Sequence, residues 1–178
     1  ILPEVRQFVH KFDYNDLAKV EEYFETYKGE IAAVITEAVE VEPPKEGFLE
    51  QLKELCHRNG ALLIFDEVVN GFRFSIGGAQ AYFGVTPDLS TFGKAAANGM
   101  PLSIVAGRKD IMEEVDKSIF ISTTFGGECL SLAAGIAVMK ALESGEVTKA
   151  IWEKGKYLQD NFRRLAKELD VPLDLSGY

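Results

Sequence analysis

Two hydrophobic periodicities take turns along this chain, and their alternation restricts the fold more than any other property. Residues 15–27 place Leu17, Val20, Tyr23, Phe24 and Tyr27 on one helical face, with Asn15 or Asp16 suited to the cap. Residues 31–36 form a short apolar run enriched in β-branched side chains, which predicts a strand buried on both faces. Helical spacing returns over 48–58 through Phe48, Leu49, Leu52, Leu55 and Cys56, and Asn59-Gly60 ends it. A second buried strand is expected over 61–65, with shorter strands over 89–92 and 102–106. Helices are predicted over 130–142, where Ala133, Ala134 and Ala137 allow close packing, and over 146–169.

Strand, helix, strand with short connections implies parallel strands joined by right-handed crossovers. The expected fold class is therefore α/β, a mainly parallel sheet flanked by helices. Residues 1–145 are expected to form part of a large domain. Residues 146–178 are expected to give a linking helix and the start of a smaller C-terminal domain. Open sheets of this type bind ligands beyond the carboxyl ends of their strands, which here means just after Thr36, Phe65 and Phe92.

Composition excludes several functions. A net charge of −9, from 28 acidic against 19 basic residues, argues against a nucleic-acid backbone as partner. It leaves room for an anionic small molecule in a locally positive pocket. No apolar run is long enough to span a bilayer, so no membrane partner is expected. Two cysteines and two histidines, none in metal-ligand spacing, make neither a disulfide framework nor a zinc site. The expectation is a soluble, cytoplasmic protein without a metal. The chain also reads as incomplete: Ile1 is no initiator methionine, no signal peptide opens it, and residues 172–178 stop where another element is expected.

Two positions carry chemistry. Asp66-Glu67 follows the apolar run 61–65, which puts at least Asp66 at the mouth of the sheet. An acid capping a strand end in solvent and the magnesium-binding acid of a nucleotide-hydrolysing domain are both compatible with this pair. The second needs a phosphate loop, and Gly93-Lys94 is followed by Ala95 rather than a hydroxyl. Lys94 stands among Gly93, Ala95, Ala96 and Ala97, so a desolvated amine with a lowered pKa is expected. Such an amine attacks an aldehyde; a lysine snorkelling out from a buried loop fits the spacing equally well. Together an acid and an amine at neighbouring strand ends suit a pyridoxal cofactor, which needs one to hold its ring nitrogen and the other its aldehyde. Arg73 has the chemistry to steer a substrate carboxylate by a bidentate contact, but a structural salt bridge is the expectation, and Cys56 and His57 are expected to be packing residues.

The stretches Leu63-Ile64-Phe65-Asp66-Glu67-Val68-Val69-Asn70-Gly71-Phe72-Arg73 and Gly84-Val85-Thr86-Pro87-Asp88-Leu89-Ser90-Thr91-Phe92-Gly93-Lys94 resemble the signature of class III aminotransferases. Gly77-Gly78-Ala79-Gln80-Ala81-Tyr82-Phe83-Gly84 is similar to the glutamate-1-semialdehyde 2,1-aminomutase branch. The likeness runs from about Tyr14 to about Leu142. It implies part of the large domain of a fold-type I transferase that uses pyridoxal 5'-phosphate. It also implies Lys94 as the Schiff-base lysine, Asp66 as partner of the ring nitrogen and Val68 against one ring face. Thr124 matches a threonine that binds the cofactor phosphate across a homodimer interface with a shared active site, where the start of the following helix would help. As an isolated residue, Thr124 reads as a helix cap. Glu37 matches an acid lining the active site, although Ala38 replaces the family's proline. The implied substrates are an amino donor and a carbonyl acceptor, handled by transamination or by a mutase reaction. The alternatives are a truncated or non-catalytic relative that keeps the fold without turnover and, more remotely, a nucleotide-hydrolysing α/β domain.

Overall fold

The computed structural model describes residues 2–173 and 175–178; Ile1 and Asp174, which the expectations about the two ends include, lie outside the described residues. After a single helical turn, α1 (Pro3–Arg6), helix α2 (Leu17–Thr26) starts at Asp16, whose side chain accepts the Lys19 N–H at 3.1 Å. Of the two candidate caps, Asn15 does other work. It stands at φ 70, donates to the Pro43 carbonyl at 3.0 Å and accepts the Lys45 N–H at 2.8 Å. Strand β1 (Ala33–Thr36), helix α3 (Phe48–Arg58) and strand β2 (Leu62–Glu67) follow in the expected order.

Helix α4 (Gly78–Phe83) leads into β3 (Leu89–Phe92), a 3-10 turn (Lys94–Ala96) and β4 (Ile104–Gly107). A short helix α5 (Lys109–Met112), then α6 (Cys129–Leu142) and α7 (Glu146–Glu168), complete the chain. The sheet order is β1-β2-β3-β4. β1 and β3 both pair with β2 in parallel, whereas β4 is antiparallel to β3. No crossover helix separates β3 from β4, and a short connection can only turn the chain back.

Strands added in one direction by crossovers of one hand put their helices on the same face. That face carries Val34, Leu63 and Phe65, packed against Val20, Phe24, Leu49, Leu52 and Leu55. The expectation of strands buried on both faces is corrected here. On the other face Ile35 is 59% exposed and Val105 56% exposed. A smaller core of Phe72, Ala95, Ala96 and Leu142, with Phe92 and Ile104 beside it, seats α6 near the 3-10 turn.

Asp88, only 2% exposed, knots the amino end of the sheet. Its carboxylate accepts the Leu63 N–H at 2.8 Å, Arg108 Nη1 at 2.9 Å and His57 Nε2 at 2.9 Å. Burial would raise its pKa, but the Leu63 amide, Arg108 and His57 outweigh burial and hold it below the usual value. His57 thus ties α3 to the sheet, while Cys56 is fully buried in the core, its thiol pushed up to about 12 by burial. Among the described residues no helix is long and apolar enough to cross a membrane.

Candidate active site

Side chains alternate along a strand, so the adjacent acids at the end of β2 face opposite sides of the sheet. Glu67 enters the helix-covered side and is 0% exposed. It accepts the N–H of Ala79 at 2.6 Å and of Gln80 at 2.8 Å, closing the first turn of α4. Burial pushes its pKa up against those hydrogen bonds. Gly78, at φ 77, lies on this carboxylate, and a Cβ there would collide with it. Glu67 is therefore committed to the fold, and Asp66 is left on the open side.

Asp66 Oδ1 accepts the Val68 N–H at 3.0 Å and the Thr91 hydroxyl at 3.3 Å. These bonds orient the carboxylate, and Oδ2 takes no donor among the described residues. β2 runs further than the expected 61–65 because pairing continues through Asp66↔Thr91 and Glu67↔Phe92. Asp66 thus sits within the strand rather than beyond it.

Lys94 opens the turn just past the carboxyl end of β3, on the strand paired with β2. Its φ of 38 is a left-handed conformation that costs a lysine on the order of 1 kcal/mol and persists only where the surroundings enforce it. The expectation of a buried, desolvated amine is corrected: Lys94 is exposed and makes no side-chain hydrogen bond or ion pair among the described residues. The small residues that suggested burial are themselves buried. Ala95, Ala96 and Ala97 pack inward, and Gly135 of α6 leaves room over the Ala96 carbonyl. Val68 leans on the same backbone, with its Cγ1 3.4 Å from where a Cβ on Gly93 would stand.

Glu37 follows the last registered pair of β1, Thr36↔Phe65, and so stands level with Asp66. Its Oε2 accepts Asn70 Nδ2 at 2.8 Å. Asn70 and Thr91 fall within the two stretches that resemble the family signature, but no local pattern there singles them out.

Thr124 lies in an exposed turn, away from Asp66 and Lys94 in the sequence of elements. It does not cap α6, contrary to the helix-cap expectation. Glu128 is the cap, and its carboxylate accepts the Leu130 N–H at 2.6 Å and the Ser131 N–H at 2.7 Å. Those amides are thereby taken from any phosphate. Arg73 is exposed and forms no salt bridge among the described residues, contrary to expectation; its carbonyl accepts Trp152 Nε1 at 3.1 Å.

The three parallel strands bring an acid and an amine to the carboxyl ends of adjacent strands, the place where open α/β sheets bind ligands. The profile of the family described as aminotransferase class-III matches residues 3–177, and the chain belongs to that family. It is 43% identical over 170 residues to the glutamate-1-semialdehyde 2,1-aminomutase of Ruminiclostridium cellulolyticum, covering 92% of this chain and 39% of that protein. It is 36% identical to the 3-aminobutyryl-CoA aminotransferase of Cloacimonas acidaminovorans, covering 99% of this chain and 44% of that protein. The fold is similar to that of the Sphingopyxis sp. MTA144 FumI protein, solved in its PLP internal aldimine form. The TM-score is 0.87 at 26% identity, over 94% of this chain and 42% of that chain. The chain thus spans about two fifths of the length of these relatives.

Proposed function

We propose that this chain is part of a pyridoxal 5'-phosphate-dependent aminotransferase or aminomutase in which Lys94 holds the cofactor aldehyde and Asp66 the ring nitrogen. The observation that carries this reading is the placement of Asp66 and Lys94 at the same end of two hydrogen-bonded strands, with Val68 packed against the Gly93 backbone beside them. The donor set fits the ring end of the cofactor: a carboxylate oriented through one oxygen with the other open, an unengaged amine, and an apolar surface for a ring face. Bound pyridoxal phosphate supplies an electron sink for bond cleavage at the carbon bearing the amino group.

The chain's own residues divide the remaining work. Asp66 would accept a hydrogen bond from the ring nitrogen and favour its protonated form. The Lys94 amine would be placed to remove a proton from the substrate carbon and to return one to the product. Val68 keeps water from one side of the ring. Glu37 lines the site. The substrates are a small-molecule amino donor and a carbonyl acceptor, in keeping with both the aminomutase and the aminotransferase among the relatives.

The phosphate end is not assembled by the described residues of one chain. We assign it to Thr124 of a second copy, in a homodimer that shares its active sites. Support comes from the exposed apolar run around Thr124, with Phe120, Ile121, Phe125, Leu130 and Ile136 uncovered. The same interface would cover the Lys94 amine and desolvate it. Residues 146–178 are read as the link to, and start of, a smaller domain, because α7 contains no buried residue. Free thiols at Cys56 and Cys129 suit the reducing cytoplasm.

Borohydride reduction of the intact protein loaded with pyridoxal phosphate, followed by peptide mass mapping, tests the assignment. The pyridoxyl adduct is expected on Lys94 and should be lost in Lys94→Ala. An adduct on another lysine overturns the assignment. No adduct at all favours the alternative that the incomplete phosphate end suggests, a relative that keeps the fold without turnover.

A further inference from the structure

We infer that Asn70 is a positioning residue of this site: its carboxamide nitrogen fixes the Glu37 carboxylate at the carboxyl end of β1. The inference rests on the reading of Glu37 as a residue that lines the site. Asn70 lies on the loop after β2, four residues beyond Asp66, and is 8% exposed. Its Nδ2 donates to Glu37 Oε2 at 2.8 Å and to the Val39 carbonyl at 2.7 Å. Both partners are pure acceptors, so only the NH2 group can face them, and the orientation of the amide is determined by its surroundings. One nitrogen therefore spends both hydrogens on the segment that follows β1, one on its backbone and one on its acid. The first bond ties two loops together. The second selects a rotamer for a side chain that would otherwise sample several.

This arrangement holds the Glu37 carboxylate level with Asp66, just past the end of the neighbouring strand, while Glu67 is withdrawn into the core. A fixed anion stabilises a cationic centre beside it, so the protonation of the bound cofactor should register Glu37, and register Asn70 through Glu37. A residue with only a structural role would change stability and leave that protonation alone.

The test uses the intact protein loaded with pyridoxal phosphate, reading the pH midpoint of its visible absorbance change, with thermal unfolding of the cofactor-free protein alongside. Glu37→Gln removes the charge but keeps an acceptor for Asn70; it should lower the midpoint by about half a pH unit or more and barely move Tm. Asn70→Ala should lower the midpoint in the same sense and also lower Tm through the lost Val39 bond. Combining the two should shift the midpoint no further than Glu37→Gln alone. If Asn70→Ala does not fold, Asn70→Ser retains one shorter donor and should give an intermediate shift. A midpoint moved by Glu37→Gln but not by the Asn70 variants, or shifts that simply add, overturns the inference. A midpoint that Glu37→Gln leaves in place overturns the placement of Glu37 in the site, and the inference falls with it.

Discussion

Along β2 the side-chain alternation sends Glu67 among the helices and Asp66 to the open side, so two chemically similar neighbours acquire unrelated roles. The same logic of partners governs Asp88 at the far end of the sheet. Its folded pKa lies below the usual 3.8, so its contribution to stability is fully present above that value and is lost as pH falls through the folded pKa. Glu67, with a raised pKa, acts in the opposite sense and softens the acid limb. Tm should therefore drop below about pH 4, and Asp88→Asn should both lower Tm at neutral pH and flatten that acid limb. A Tm profile between about pH 5 and pH 3 that is unchanged by Asp88→Asn would remove Asp88 from the account.

Helix α7 shows how little holds a long element in place. Gly145, at φ 76, starts it, and no residue along it is buried. Among its contacts is Trp152, which stacks on Tyr82 at 5.7 Å between centroids, meets Phe74 edge-on at 5.5 Å and donates to the Arg73 carbonyl. The C-terminal segment returns to the same cluster, where Tyr178 packs on Phe74 at 5.0 Å. Trp152→Ala should cost about 2 kcal/mol, less than the roughly 3–5 kcal/mol of a fully buried tryptophan, because the ring is only half-buried. Hydrogen exchange should speed up across 146–168 while the amides of β2 keep their protection. Equal acceleration in both places would show that α7 and the sheet unfold as one unit.

The molecule as a whole has one well-covered sheet face and two large uncovered surfaces. One is the far side of the sheet, with Ile35 and Val105. The other is the stretch leading into α6, where Phe120 is 91% exposed. An exposed apolar surface of this kind suits an interface, and a second copy is its proposed occupant. Phe120→Asp together with Ile136→Asp should weaken self-association at least tenfold by sedimentation without lowering the Tm of the monomer. Unchanged association would place the interface elsewhere.

The longer helices, the mainly parallel pairing of the strands and the strand ends that carry Asp66 and Lys94 could be read from periodicity and spacing, since both depend on local residue patterns. β3 and α3 coincide with their expected spans, and the family resemblance rests on contiguous motifs. α4 escaped because Gly77 at its cap and Gly78 at its first position are poor helix formers, and the Glu67 carboxylate that accepts its first amides comes from another element. The exposure of Lys94, the capping of α6 by Glu128, the Asn70–Glu37 clasp and the open face of the sheet likewise depend on which segments meet in space. Burial and hydrogen bonding are properties of neighbours, and neighbours distant along the chain exist only once it has folded.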